Sequence, residues 1–300
     1  MSEMSEKVFK SLERLKAFEP EEGYYLAFSG GKDSVVCKAL LDMAKCKYDA
    51  VYRVTSVDPP ELVRFIKDEH PDVVREVPRD ADGKPMTMWN IIPRHLMPPT
   101  RIVRYCCSDL KESGGDGRMT VTGVRWAESS NRKQNQGIVT FVTKNKELLK
   151  EIGDNPDFLR TIKGGVVLTN DNVESRRMVE QCYKRHKTTV NPIIEWSDKD
   201  VWDFIKSNGI PYCKLYDEGF DRIGCINCPM ARRRMREFEL ARYPKYLTAY
   251  LNAYEKMIAR RKEKGLKCDW ERPIDVHNWS IENGVMVGQY NLFDEEGDYL

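Results

Sequence analysis

The sequence predicts an α/β protein: a parallel sheet with helices on both faces. Three observations lead there. Short apolar runs alternate with segments of helical periodicity from Tyr24 to Arg125. A glycine turn joins the first apolar run directly to a helical segment. The composition, 41% hydrophobic and 32% charged over 300 residues, is that of an ordinary globular protein. This length suffices for one large α/β domain with an appendage, or for two small domains.

The elements follow in order. Residues 1–20 read as a charged helix with Val8, Leu12, Leu15 and Phe18 on one face, ending near Pro20. The first strand is expected at 23–28, and the helix after it runs to about 45. A second strand is expected at 49–54. Pro60 then opens a helix, with proline in the first turn where its missing N–H costs nothing. A short third strand at 73–77, a helical segment at 86–96 and a strand at 120–124 complete the alternation, which argues for a buried parallel sheet. Residues 131–190 are less regular and read as an insertion or hairpin, with strands at 138–142 and 166–169 around a helix near 145–152. Ser197 is an N-cap for a helix that stops at Asn208-Gly209. Residues 229–264 are helical with a break at Pro244, and 265–300 have no clear period. The expected division is an N-terminal helix (1–20), an α/β domain (21–230) and a helical C-terminal region with a tail (231–300).

Ser29-Gly30-Gly31-Lys32-Asp33-Ser34 lies between Tyr24-Tyr25-Leu26-Ala27-Phe28 and the helical Val35-Val36-Cys37-Lys38-Ala39-Leu40-Leu41. A strand, a glycine turn and a helix start in that order form an anion site. The glycines let successive N–H groups face one concavity, and the new helix adds unpaired N–H groups and its positive dipole end. Lys32 supplies a point charge for a phosphate, and the Ser29 and Ser34 hydroxyls supply donors. The expected ligand is the phosphate of a nucleotide. The loop is not a Walker A sequence, which needs four residues between its first Gly and its Gly-Lys. Asp33 suits orientation of Lys32 or of a magnesium-bound water, or equally a first-turn capping role.

Nine cysteines are many for such a chain. Cys37, Cys46, Cys182, Cys213 and Cys268 are scattered and read as small hydrophobes. The others cluster: Cys106-Cys107 are adjacent, and Cys225-Ile226-Asn227-Cys228 is a C-x-x-C between Gly224 and Pro229. Four thiolates suffice for one [4Fe–4S] cluster or one zinc ion. A vicinal pair is awkward for tetrahedral zinc, so the spacing favours the cluster over zinc or an uncoordinated dithiol. Lys111, four residues after the pair, is a candidate catalytic cation beside both cluster and nucleotide. Arg125 and Arg132 follow the end of a strand, where open parallel sheets bind ligands, and their planar forks suit phosphate or sulfate. Solvated surface arginines are the plainer alternative.

The six-residue loop resembles the PP-loop of the ATP pyrophosphatase and PAPS reductase superfamily. The Cys-Cys pair followed by Gly-Cys-x-x-Cys resembles the cluster motif of assimilatory adenylylsulfate (APS) reductases. The stretches Asn191-Pro192-Ile193-Ile194-Glu195-Trp196-Ser197-Asp198 and Leu215-Tyr216-Asp217-Glu218-Gly219-Phe220 are similar to the approach to the second cysteine pair in that family. Thr122-Gly123-Val124-Arg125 with Glu128, Ser129 and Arg132 is similar to its T-G-x-R-x-x-x-S-x-x-R segment. The resemblance covers about 20–232, with a gap at the irregular region. It implies a Rossmann-like fold of the adenine nucleotide α-hydrolase type. It also implies an adenine nucleotide (ATP, APS or PAPS) at Ser29–Ser34 with Arg125 and Arg132 as clamps, and a [4Fe–4S] cluster on Cys106, Cys107, Cys225 and Cys228.

The resemblance fails at one place. The reductases carry a C-terminal Glu-Cys-Gly-Leu-His whose cysteine attacks sulfur, and nothing here matches it; the late cysteine is Cys268, near Lys264 and Lys267. Thr55-Ser56-Val57-Asp58-Pro59-Pro60 and Met97-Pro98-Pro99-Thr100-Arg101 are more similar to PAPS-reductase-like proteins of phages and of DNA phosphorothioation systems. The leading expectation is therefore ATP- and magnesium-dependent sulfur transfer, with nucleic acid as the acceptor and a cysteine desulfurase as a partner. The alternatives are reduction of APS or PAPS to sulfite with a thiol-disulfide reductant, and a non-catalytic nucleotide-binding Fe–S sensor or assembly subunit.

The basic run Arg232-Arg233-Arg234-Met235-Arg236 offers a phosphate track with Arg232 and Arg236 on one face, or a solvated face balanced by Glu237 and Glu239. Tyr243, Tyr246, Tyr250 and Tyr254 recur at helical spacing and read as a packing stripe rather than a base-stacking surface. A net charge of +2 selects no partner. No apolar run approaches the length of a membrane span, and the start lacks a signal-peptide core, so the expected location is cytoplasmic.

Overall fold

A strand of four residues, β1 (Tyr24–Ala27), organises the sheet. Tyr24, Tyr25 and Leu26 are buried, as a strand covered on both faces requires. The computed structural model describes residues 3–115, 117–142, 157–161, 165–168 and 188–282. They form two compact units: Met1–Tyr52 with Glu61–Glu76 and Gly114–Ile223, and Arg53–Pro60 with Val77–Ser113 and Gly224–Leu300.

The first unit carries the sheet. From β1 the chain passes through α2 (Lys32–Ala44) to β2 (Tyr48–Arg53), which pairs parallel with β1, and on through α3 (Pro60–Glu69) to β3 (Val74–Glu76) beyond β2. It then returns to the other side of β1 as β4 (Met119–Val121), again parallel. The strand order is β3-β2-β1-β4-β8-β5-β7-β6. The order reverses between β1 and β4, and open parallel sheets bind ligands at the carboxyl end of such a switch point. α1 (Glu3–Ala17) packs on α2 through Leu15, while its Arg14 reaches Glu195 at 3.1 Å.

β8 (Thr188–Val190) joins β4 in parallel and was not legible as a strand in the sequence. β5 (Val139–Val142) and β7 (Gly165–Leu168) match the two expected strands of the irregular region, and β6 (Phe158–Arg160) is added. All three join through antiparallel pairings, so the expected parallel sheet carries an antiparallel extension at the expected insertion. The expected helix near 145–152 and Cys182 lie outside the described residues. After β8, α7 (Asp198–Ser207) starts at Ser197, whose hydroxyl accepts the Asp200 N–H. It stops before Asn208-Gly209, where Gly209 has φ +60°. The short helix α6 (Ser130–Asn135) is capped by Ser129 in the same way.

The second unit is helical: α4 (Met88–His95), α5 (Tyr105–Cys107), α8 (Arg233–Arg242), α9 (Pro244–Glu263) and α10 (Pro273–Glu282). Its core joins Ile91, Ile92, Leu110, Tyr250, Tyr254, Met257 and Val276. The tyrosine stripe is thus packing, as expected. α10 corrects the reading of a tail without period: Val276 and His277 are buried although the segment has little amphipathic contrast in sequence. Among the described residues no helix is long and apolar enough to cross a membrane.

Candidate functional site

The loop after β1 joins strand to helix as its sequence predicts, and its two glycines do different work. Gly30 sits at φ +71°, and a side chain there would meet Ile66 and Leu62 at 2.8 Å. Gly31 is extended (φ −77°) and serves as the N-cap of α2. The turn is held from within. Ser34 Oγ donates to the Gly31 carbonyl (2.9 Å) and accepts the Ser29 N–H (3.2 Å), and the Gly31 N–H reaches Ser29 Oγ at 3.4 Å. The Lys32 N–H, one of the unpaired amides of the helix start, donates to the Tyr216 hydroxyl at 2.9 Å.

Lys32 is buried. Its ammonium lies 3.5 Å from Asp198 Oδ1 and 3.5 Å from the Asp221 carbonyl, over the Tyr216 ring. Asp33 does not contact Lys32. Its Oδ1 accepts from Arg125 Nε at 2.7 Å. Arg125 is only 2% exposed, so it is not a solvated surface arginine. Its three nitrogens go to Asp33, to the Trp196 carbonyl (3.2 Å) and to Asp198 Oδ1 (2.6 Å). Arg132 pairs with Glu128, which also accepts the Arg125 N–H at 3.0 Å. Burial pulls the Asp198 carboxyl up, but the Arg125 hydrogen bond and the Lys32 charge outweigh it and hold the group below its ordinary range.

Gly123 explains how β4 reaches this loop. A side chain there would come within 2.7 Å of Asp33 Cβ and 2.9 Å of the Asp33 carbonyl carbon. The Thr-Gly-Val-Arg segment therefore touches the first turn of α2 at backbone distance and delivers Arg125 to Asp33. The Thr122 N–H continues the ladder to the Val190 carbonyl, which aligns the ends of β4 and β8. Tyr216, Asp198 and Asp221 were not read as site residues. Tyr216 and Asp198 both lie in the stretches similar to the reductase family, which was the available signal, although Asp198 also reads as an ordinary first-turn acid.

The cysteines gather in the second unit. Cys106 and Cys107 close α5, and a single π-type turn, Ser108–Glu112, follows and carries Lys111. The neighbouring Cys107 and burial raise the Cys106 thiol, while Cys106 and the Lys111 and Arg104 charges lower Cys107. Cys225 and Cys228 lie within electrostatic range of Cys106. Burial pushes the Cys225 thiol up to about 12 against the pull of Lys111, and the Cys225 thiolate in turn raises the solvent-accessible Lys111. Among the described residues no group of three or more His, Cys, Asp or Glu could hold a metal ion as it stands. Two features still suit a larger thiolate-bound group: the donor set is all sulfur, and a side chain at Gly224 would meet nothing within 4 Å, which leaves space beside Cys225.

Cys37, Cys46 and Cys213 are buried, as expected of small hydrophobes. Cys268 is half-buried, and its sulfur contacts the Trp270 carbonyl at 3.4 Å. In the basic run Arg232, Arg233 and Arg234 are exposed and Arg233 pairs with Glu237 at 2.9 Å, as on a solvated face, whereas Arg236 and Glu239 are 4% and 6% exposed. Neither can belong to a solvated face or to a phosphate track.

The chain thus has a mostly parallel α/β sheet with a glycine loop and a helix start at its switch point. Residues 23–231 match the phosphoadenosine phosphosulfate reductase domain, and the chain belongs to that family. An uncharacterized protein of Methanocaldococcus jannaschii is 26% identical over 214 residues, which are 68% of this chain and 35% of that protein. The adenosine 5'-phosphosulfate reductase of Oceanobacillus iheyensis is 51% identical over 39 residues, 13% of this chain and 16% of that one. The chain thus spans about a third or less of these relatives' lengths. The phosphoadenylyl-sulfate reductase of Candida auris, solved with phosphate, superposes with a TM-score of 0.41 at 14% identity, over 75% of this chain and 96% of that one.

Proposed function

We propose that the chain is an enzyme of adenine-nucleotide-dependent sulfur chemistry, with nucleotide phosphate at Ser29–Ser34 and a [4Fe–4S] cluster on Cys106, Cys107, Cys225 and Cys228. The observation that carries the reading is the group of four mutually interacting thiols beside Lys111 in a chain whose other unit holds the Ser29–Ser34 helix start. ATP is the proposed nucleotide, and transfer of sulfur to a nucleic acid the proposed outcome. The similarity of Thr55–Pro60 and Met97–Arg101 to PAPS-reductase-like proteins of DNA phosphorothioation systems supports this choice.

The chain's own residues divide the work. Gly30 turns the backbone so that the loop amides face the phosphates. Lys32 supplies positive charge where negative charge develops at the α-phosphate. Asp198 now neutralises Lys32 and Arg125, so an arriving phosphate competes with its carboxylate. Arg125 holds Asp33 in place, and Asp33 is the proposed carboxylate for a magnesium-bound water. Arg132 with Glu128 flanks the same region. Lys111 balances the negative charge of four thiolates, which a cluster needs more than a neutral dithiol does. A cluster bound there would supply an electron-rich sulfur centre able to carry or polarise the transferred sulfur.

A second reading is favoured by the short, 51% identical match to an adenosine 5'-phosphosulfate reductase: reduction of APS or PAPS to sulfite by an external thiol. One experiment separates them. Anaerobically purified protein is assayed for iron and acid-labile sulfide, then for pyrophosphate from ATP and sulfite from APS and PAPS. Pyrophosphate without sulfite supports sulfur transfer. Sulfite without pyrophosphate replaces it with the reductase. A full cluster with neither product leaves a nucleotide-binding Fe–S sensor, and zinc in place of iron refutes the cluster.

A further inference from the structure

The helices after the C-x-x-C lie beyond the family match, which stops at 231. Two of their charges are buried, and both point at the same residue of the cysteine loop. Asn227, the residue before Cys228, is 3% exposed and takes the left-handed conformation, φ +59°. Its N–H donates to Glu239 Oε2 at 2.8 Å, and its side-chain oxygen accepts from Arg236 Nε at 2.8 Å. Arg236 is fixed in turn by the Ser280 carbonyl (2.6 Å) and Ser280 Oγ (3.4 Å) on α10. The other inner residue of the loop is pinned as well. The Ile226 N–H donates to the Val57 carbonyl at 2.8 Å, and the Ile226 carbonyl accepts the Tyr250 hydroxyl at 3.0 Å.

These bonds are made by the two residues between the cysteines, not by the cysteine thiols. The two cysteines remain half-buried while the two residues between them are fixed. A buried guanidinium and a buried carboxylate are expensive to keep unless they are hydrogen-bonded, and a well-packed apolar pair fills such a space as well. Their retention on one turn of α8, aimed at one asparagine, is a device for holding a loop conformation that Asn tolerates and most residues do not. Arg236 also lies within electrostatic range of Cys228.

We propose that Arg236 and Glu239 are positioning residues that hold the Cys225–Cys228 loop in its ligating form through Asn227, and that their opposite charges set the redox potential of the group the loop carries. The inference rests on the cluster reading above. The C-terminal helices then have a role: α8 supplies the clamp, α9 supplies Tyr250 and α10 buttresses Arg236. A positive charge near a cluster favours the reduced, more negative state, and a negative charge disfavours it.

The test uses the full chain, purified anaerobically, with iron content, iron loss to a chelator and midpoint potential as readouts. Arg236→Ala and Glu239→Ala each weaken iron retention by about 10–100-fold, as loss of an outer-shell partner does. Arg236→Lys keeps the charge but loses the fork, so it holds iron less well at a potential close to wild type. Glu239→Gln keeps an acceptor for the Asn227 N–H and shifts the potential upward, whereas Arg236→Gln shifts it downward. Opposite shifts support the proposal, because a merely structural clamp moves neither potential in Glu239→Gln nor the two in opposite directions. Wild-type iron retention in both alanine variants, with circular dichroism unchanged, overturns the proposal and leaves the cluster intact. A wild-type protein that takes up no iron under reconstitution overturns the cluster reading and this inference together.

Discussion

Substituting Gly123 with alanine tests whether the end of β4 truly touches the first turn of α2. The glycine is not in the left-handed region, so alanine incurs no backbone penalty there and the effect is steric alone. The new methyl carbon would lie 2.7 Å from Asp33 Cβ, 2.9 Å from its carbonyl carbon and 3.1 Å from its carbonyl oxygen. Two of these three atoms are backbone, so no side-chain rotation relieves the contact. The turn must move away from the strand, and overpacking of this kind costs about 1–3 kcal/mol. The displacement also draws Asp33 from Arg125 and the Lys32 N–H from Tyr216, so nucleotide binding falls along with stability. The urea midpoint and the ATP dissociation constant measured by calorimetry read both consequences. We expect a lower midpoint and about tenfold or more weaker ATP binding, the equivalent of roughly 1.4 kcal/mol. Wild-type midpoint and affinity in Gly123→Ala would refute the close approach and, with it, the account of how Arg125 reaches the loop.

Three further outcomes follow from the same geometry. Asp198→Asn removes the carboxylate that competes for Lys32 and Arg125; ATP binding should tighten at constant ionic strength, and weaker binding would show that Asp198 organises the site rather than occupying it. Gly224→Ala should leave the fold of the metal-free protein unchanged while lowering the iron incorporated on reconstitution; equal iron uptake would mean that the space beside Cys225 is not the cluster's. His277 is buried, and burial with the nearby Arg236 lowers its pKa to about 4 from 6.5. Since its folded value is depressed, its contribution is full above pH 6.5 and is lost as pH falls through 4, a difference of about 3 kcal/mol at 1.36 kcal/mol per unit. The urea midpoint of His277→Leu should therefore fall less than that of wild type between pH 7 and pH 4, and parallel curves would refute the assignment.

The residues that could be read in advance are those whose role is local. Ser29–Ser34 announces itself because a glycine turn between an apolar run and a helix start has few other uses, and its Gly30 does adopt the left-handed conformation. Ser197 and Gly209 mark the ends of α7 for equally local reasons. The adjacent cysteines and the C-x-x-C are legible by spacing, and the structure brings the four into one electrostatic neighbourhood. The strand β8 is only three residues long and carries no periodic signal of its own, so its place beside β4 depends on pairing partners far away in sequence.

Charges show the division most clearly. Arg125 and Arg236 are both arginines in polar surroundings, and hydropathy alone makes them exposed. Tertiary structure buries both, at 2% and 4% exposure, because each finds carboxylate, carbonyl or amide partners that sequence distance conceals. Asp33 and Asp198 are 165 residues apart and share one guanidinium. The α/β class and the turn conformation of the Ser29–Ser34 loop were legible in the sequence, because backbone conformation is a property of short segments. Which charges meet depends on the closed fold, since an ion pair between remote segments exists only once the chain has closed the loops between them.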